Sequence, residues 1–324
     1  MTAPRDARRV RLATWPTPLE PAPRLSEAIG LRPGDLRVKR DDLTGLGAGG
    51  NKIRKLEWTV GAAVADGADV LITTGAPQSN HARLTAAAAA RLGLDSVLVF
   101  PGDPRPFVGN LLLDALLGTV IEWIGPIDAG SDTQTELDSA AQRVADRLRR
   151  QGRHPAIIPF GGSNSVGAHG YRLAGHEILE QAPDVDLVVC AVGSGGTMAG
   201  LVAGLGADHV LGVDTGAVPD AADRVRHILG GMEGVSATAA LRIRTDQVGA
   251  GYESLAAGAL HASTIAARTE GLVLDPTYSA RALAGLVAAV ADGDVLPGTD
   301  VVFLASGGLP GLFGHPQAQD LTVD

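Results

Sequence analysis

Cysteine is almost absent from this chain. Among 324 residues there is one, Cys190, so no internal disulfide framework is expected and a reducing setting, the cytoplasm, fits best. Aromatic residues are nearly as scarce, at 3%. The tyrosines are Tyr171, Tyr252 and Tyr278, and in a core of Ala, Val, Leu and Gly each is a candidate for a polar task. Tyr171 reads more simply as a core or helix-surface residue. Long apolar runs are missing too, so no membrane span is expected, and MTAPRDARRVRLATWPT lacks the apolar stretch of a signal peptide. Positive charge is short: 27 Lys and Arg stand against 36 Asp and Glu, a net charge of −9. The one dense basic cluster, RDARRVR, reads as a solvated tail. Nucleic acid is therefore not an expected partner. His169 and His176 have no metal-ligand spacing around them, so no metal is expected.

What remains is 45% hydrophobic, enough for a chain of about two domains. Apolar, β-branched runs at 35–40, 69–75, 96–101, 119–124, 156–160, 186–192, 209–214 and 301–306 read as strands. Segments 52–66, 79–92, 108–117, 135–151, 167–181, 196–206, 220–230, 253–269 and 279–292 have helical spacing. This alternation predicts an α/β protein with parallel sheets and helices on both faces. Ligands then belong beyond the carboxyl ends of the strands, where the chain places TTGAPQSNH, PFGGSNS, AVGSGGT and LASGGLPG.

The stretch GLGAGGNKIRK, from Gly45 to Lys55, contains G-x-G-x-x-G. The next strand begins rather than ends with its acidic residue, Asp69, so the ribose partner of a dinucleotide fold is lacking. An ATP-binding loop fails as well, because Asn51 stands where lysine is required. A better phosphate cradle follows DLVVCAV: Gly193, Ser194, Gly195, Gly196 and Thr197 lead from a strand into a helix. The same loop reads equally as a tight turn without a ligand. Lys52 sits at a helix start, where the local field is already positive. If shielded from water it loses its proton more readily, and a neutral amine can form a Schiff base. An organic phosphate bearing a carbonyl, held by one loop and condensed with one lysine, describes pyridoxal 5′-phosphate. The plain alternative is that Lys52 is a surface lysine.

Six motifs, KRDDLTGLGAGGNKIRKLEW, TTGAPQSNHARLTAAAAARLG, IPFGGSNSVGAHGY, GSGGTMAGL, LDPTYSARALAGL and FLASGG, occur in this order. Over about residues 35–315 the chain resembles the 1-aminocyclopropane-1-carboxylate deaminase / D-cysteine desulfhydrase family, fold-type II enzymes that use pyridoxal phosphate. The resemblance implies two open, twisted, mostly parallel sheets with flanking helices, like the tryptophan synthase β chain. It implies a large domain of residues 1–53 and 161–324, a small one of 54–160, a cleft between them, and a homodimer. Lys52 matches the lysine that binds the cofactor and shuttles the Cα proton. Lys55 and Gly193, Ser194, Gly195, Gly196 and Thr197 match the phosphate-binding groups. Asn80 matches the asparagine on the phenolic oxygen, and Ser79 a serine near the substrate. Asn51, Gln78, His81 and Gly161 flank the substrate site, although His81 could be a packing group. Tyr278 matches a tyrosine beside the ring, and Tyr252 a second one.

In the cyclopropane-opening members the residue after the ring tyrosine is glutamate; here it is Ser279. Ser306 is the other candidate partner for the pyridine nitrogen. A hydroxyl makes the ring a weaker electron sink than a carboxylate does, which favours β-elimination over ring opening. Desulfhydrase members read G-V-P-N after the second tyrosine, whereas this chain reads Glu253-Ser254-Leu255-Ala256. That departure weakens the match at the substrate pocket, so D-cysteine, giving pyruvate, ammonia and hydrogen sulfide, is the default expectation for the small amino-acid substrate rather than a deduction. Cysteate, D-serine, β-chloroalanine and 1-aminocyclopropane-1-carboxylate stay open, as does a cofactor-binding protein with little catalysis. A nicotinamide-dependent dehydrogenase fits the downstream motifs poorly.

Overall fold

The computed structural model describes residues 8–318 except 129, 237 and 253. Glu253 and the start of the basic cluster therefore lie outside the described residues. Two sheets organise the chain. The larger has the order β1-β2-β10-β7-β8-β9 and the smaller β5-β4-β3-β6.

The larger sheet is parallel except for β1 (Leu19–Pro21), which runs antiparallel to β2 (Leu36–Arg40). Its centre is β10 (Val301–Ala305), β7 (Leu187–Val192) and β8 (Val210–Asp214), with β9 (Arg242–Arg244) at the far edge. Phe303 stands opposite both Val38 and Val189. Central parallel strands bury both faces, so these read as continuous apolar runs. Leu187 and Val189 pack with α1 (Pro23–Ala28), α9 (Ala257–Glu270) and α10 (Ser279–Ala291). Val188, Cys190 and Val192 face the other way, against α6 (Ser165–Gln181), α7 (Gly196–Leu205) and α8 (Ala221–Gly230). This alternation is the two-residue period of a strand.

The smaller sheet is wholly parallel: β5 (Val120–Trp123), β4 (Asp95–Phe100), β3 (Val70–Thr74) and β6 (Pro155–Ile157). On one face Leu71 packs with Ile53, Leu56 and Val60 of α2 (Lys52–Ala65) and Leu84 of α3 (Asn80–Leu92). On the other, Val70, Ile72 and Val97 meet Leu137, Ala141 and Val144 of α5 (Thr133–Arg150). Helix α4 (Asn110–Leu116) packs beside α3. Side-chain caps begin several helices: Ser79 accepts from the amide of Ala82 at 3.2 Å, and Asn164 from that of Gly167 at 2.8 Å.

All the strand runs read from the sequence are strands here. The additional elements β1, β9, α1 and α11 (Leu309–Phe313) span six residues or fewer. Elements so short carry no readable period. The basic cluster departs from the expected solvated tail. Arg9 pairs with the buried Glu57, whose carboxylate also accepts from the amide of Leu12 at 2.9 Å and the indole of Trp15 at 3.0 Å. A buried carboxylate needs partners, and this segment supplies them.

Candidate active site

The carboxyl ends of β7 and β10 and the starts of α2, α3 and α7 meet at one cleft. It is lined by Asn51, Lys52, Lys55, Asn80, Ala191, Gly193, Ser194, Gly195, Thr197, Tyr278, Ser306 and Gly307. Lys52 opens α2, preceded by the glycine turn 45–50. Its Nζ donates to Asn51 Oδ1 at 2.9 Å and lies 5.3 Å from the centre of the Tyr278 ring. Burial pulls its ammonium down to about 8, with Asp275 opposing and the cation of Arg83 assisting. A lysine in that state supplies far more free amine near neutral pH than an ordinary lysine does.

Lys55 stands one turn further along the same helix face. It is 1% exposed, and its Nζ donates to Ser163 Oγ at 2.8 Å. Burial, then the nearby Lys52 and Arg224, holds its ammonium well below the ordinary lysine range. Ser163 Oγ also meets Ser194 Oγ at 2.7 Å. The loop 193–197 wraps this point. A Cβ at Gly193 would lie 2.9 Å from the Tyr278 ring, and one at Gly196 would lie 2.5 Å from Ser163 Oγ. Only glycine lets the backbone approach so closely. Asn51 Nδ2 donates to Thr197 Oγ1 at 3.0 Å, which ties the lysine loop to the start of α7.

Asn80 reaches the cleft from α3, and Ser79 precedes it as that helix's cap. Gln78 turns instead to α4: its Oε1 accepts from the amide of Asn110 at 2.9 Å, and its Nε2 donates to Val108 O at 3.0 Å. His81 lies behind the lining, 3% exposed. Thr73 Oγ1 gives its one proton to Ile158 O at 2.9 Å, so His81 Nε2, 2.8 Å away, must donate to it. That leaves Nδ1 bare, without a partner among the described residues. Burial, then Lys55 and Lys52, keeps this imidazole neutral. Gly161 packs against Ser194.

Tyr278 and Tyr252 meet hydroxyl to hydroxyl, their rings edge to face at 5.9 Å. Burial, reinforced by Tyr252, keeps Tyr278 protonated well above the ordinary phenol range. Asp275 fixes this corner by accepting from the amides of Tyr278 and Ser279, both at 2.8 Å. Ser306 lines the cleft, while Ser279 stands behind it, 3.2 Å between hydroxyls, and donates to Gly307 O at 3.0 Å. Tyr171 takes the plain role: fully buried, it donates to Asp41.

Sequence reading missed Ser163, Arg224, Arg83 and Asn110. Ser163 carried a signal, a hydroxyl among glycines after a strand. Arg224, which donates to Ser163 O at 2.9 Å, lies 61 positions away and carried none. The cleft as built suits a phosphorylated aldehyde. Lys52 and Lys55 donate only to neutral oxygens among the described residues, and beside them lie close-approach glycines and a helix N-terminus, an arrangement that receives a phosphate.

The family model described as "Pyridoxal-phosphate dependent enzyme" matches residues 10–307. A protein of Pyrococcus abyssi named "Putative 1-aminocyclopropane-1-carboxylate deaminase" is 39% identical over 322 residues, covering 95% of this chain and 93% of that one. A "D-cysteine desulfhydrase" of Salmonella schwarzengrund is 38% identical over 328 residues, covering 95% and 96%. The crystal structure of an "ACC deaminase homologue" superposes with a TM-score of 0.86 at 35% identity, covering 99% of each chain. A threonine deaminase of T.th., at 21% identity and a TM-score of 0.63 over 90% of this chain and 92% of that one, shares the fold. With the family model spanning most of the chain and such relatives along 95% of it, this chain belongs to the pyridoxal-phosphate dependent enzymes of fold-type II.

Proposed function

We propose that this enzyme is a lyase that eliminates the β-substituent of a small amino acid, with D-cysteine as substrate and pyruvate, ammonia and hydrogen sulfide as products. One observation carries the reading: the charge inventory of the cleft. Among the described residues its lining holds no carboxylate, and its only cations are Lys52 and Lys55. Without a carboxylate beside it, a ring nitrogen is not held protonated. That suits elimination, where the leaving group carries off the electron pair at once, better than cyclopropane opening. With Lys55 serving phosphate and Lys52 serving chemistry, no cation remains for an acidic side chain. This favours cysteine over cysteate.

Bound pyridoxal phosphate supplies a carbonyl for amines and a conjugated ring that takes up the electron pair at Cα. Lys52, as a free amine, takes the Cα proton. Asn80 would donate to the cofactor's phenolic oxygen. Lys55, Ser194, Thr197 and the backbone of Gly193, Gly195 and Gly196 would hold the phosphate. Ser306, backed by Ser279, would serve the ring nitrogen. Ser79 borders the substrate with Asn51 and Gly161, while His81 supports that border from behind the lining and Gln78 holds α4 rather than the substrate. Tyr278 stays protonated and, with Tyr252, has a proton to offer the departing sulfur. Water then releases the three-carbon product as pyruvate and ammonia.

We also propose that residues 54–160 close as a small domain on residues 1–53 and 161–324, and that the enzyme works as a cytoplasmic homodimer. The family resemblance supports both. Sedimentation checks the second, and no helix among the described residues is long and apolar enough to cross a membrane.

The test is turnover by the purified protein with added pyridoxal phosphate. The panel holds D- and L-cysteine, L-cysteate, D-serine, β-chloro-D-alanine and 1-aminocyclopropane-1-carboxylate, with keto acid and sulfide measured. Sulfide and pyruvate from D-cysteine are expected. Turnover only of cysteate or of the cyclopropane would overturn the assignment, and a visible cofactor band with no turnover would leave a binding protein.

A further inference from the structure

We propose that Arg83 and Asn110 are positioning residues that fix the carboxamide of Asn80 in one orientation, with its Nδ2 turned to the cleft as a donor. The inference rests on the reading that the cleft takes pyridoxal phosphate, whose phenolic oxygen is anionic and needs a donor. An asparagine amide has two nearly isosteric orientations, one offering N–H and the other an oxygen. Offered to an anion, the second repels. Something must choose between them.

The choice follows from groups that cannot change role. A guanidinium only donates, and a backbone carbonyl only accepts. Arg83 Nε lies 2.7 Å from one end of the Asn110 carboxamide, so that end is Oδ1. The other end lies 2.8 Å from Gln78 O, so it is Nδ2. The same Nδ2 lies 3.1 Å from the Asn80 carboxamide, and Arg83 Nη2 lies 3.4 Å from the same atom. Two donors therefore face one atom of Asn80, which must be Oδ1. Its Nδ2 is left for the cleft, which Asn80 lines.

The device is rigid. Arg83 and Asn110 are both 0% exposed. Arg83 also donates to Gly47 O and, at 3.2 Å, to Gly49 O, so one guanidinium ties the glycine turn before Lys52 to the start of α3. Asn110 is held from a third side by Gln78 Oε1 on its amide at 2.9 Å.

The decisive variant is Asn110→Asp. It keeps the acceptor for Arg83 and replaces the nearer donor facing Asn80 with an oxygen, so that only the longer Arg83 Nη2 contact, at 3.4 Å, is left against a new oxygen–oxygen repulsion, and the Asn80 amide should turn over. Affinity of the apoprotein for pyridoxal phosphate should then fall about ten- to a hundredfold, and the visible band should move in the direction seen in Asn80→Ala. In an Asn80→Ala background the same change should cost less than about twofold, since there is no amide left to orient. Equal losses with and without Asn80 would overturn the proposal, as would unchanged affinity in Asn110→Asp. If that variant does not fold, Arg83→Lys is carried through the same cycle; lysine cannot reach Asn110 and both loop carbonyls together. A wild-type protein that shows no visible band with added cofactor would instead defeat the underlying reading.

Discussion

Helix α2 carries charge on two faces, and the two are handled in opposite ways. On one, Arg54 is 3% exposed and directs its donors at carboxylates. It bonds Asp41 through Nε and Nη2, both at 2.8 Å, and Glu177 at 2.9 and 3.0 Å. Trp15 stacks 4.0 Å from it, and Lys39 closes the cluster through Glu177. Burial alone would raise the Asp41 carboxyl, but Arg54, joined by the Tyr171 hydroxyl and Lys39, outweighs it and holds it below the ordinary range. On the other face, Lys52 and Lys55 have only neutral oxygens as partners among the described residues. A buried cation without an anion costs stability. The paired face is structure, and the face with only neutral partners is the one we propose receives the cofactor's phosphate.

The largest expected effect comes from the cleft side. Lys52→Ala should remove the visible band and lower turnover on the order of 10³-fold or more, checked by absorption and steady-state kinetics. Next is the paired face. Asp41→Asn leaves Arg54 with an incomplete set of acceptors in a buried place, and should destabilise the protein by about 3–5 kcal/mol, in urea unfolding with or without cofactor. A loss seen only with cofactor would erase the contrast.

Asp114 tests the rule from a third position. Its carboxyl oxygens are buried and have no hydrogen-bond partner among the described residues, and burial pushes it up to about 7, against the pull of Arg83. A carboxyl raised in the folded state is protonated there while the unfolded chain has already ionised. Stability is therefore lost as pH rises from about 4 to about 7, and stays lost above. Asp114→Asn should flatten that profile and raise stability at pH 8 by up to about 4 kcal/mol, with little effect at pH 4. The smallest effect is expected at Lys55→Met. Cofactor affinity should weaken about ten- to a hundredfold, while the apoprotein melts no lower than wild type, because an unpaired buried charge is gone.

The sheet strands of the core were legible because parallel strands buried on both faces are written as apolar runs such as VVCAV and VVFLA. Lys52, Lys55 and the 193–197 loop were legible as candidates because glycines beside a lysine, or between strand and helix, let backbone amides approach an anion, although a ligand-free turn or a surface lysine fits the same local pattern. Arg83 was not, although it lies three residues beyond Asn80. Nothing local says that its guanidinium is fully buried, nor that its partners sit at 47, 49 and 110. Gln78 shows the converse. Its motif sets it beside the site, yet its side chain is consumed by α4.

By itself, then, the sequence determined the order of strands and helices along the chain, the glycine turns and the lysines that follow or face them, all local properties of pattern and backbone freedom. Tertiary structure decided which charges on α2 find partners and which stay bare. It also decided which hydroxyl, Ser306 before Ser279, faces the cleft, and how the Asn80 amide is turned. Those outcomes depend on groups brought together from distant positions. Burial, which sets the strength of every charge and hydrogen bond among them, exists only once the chain has folded.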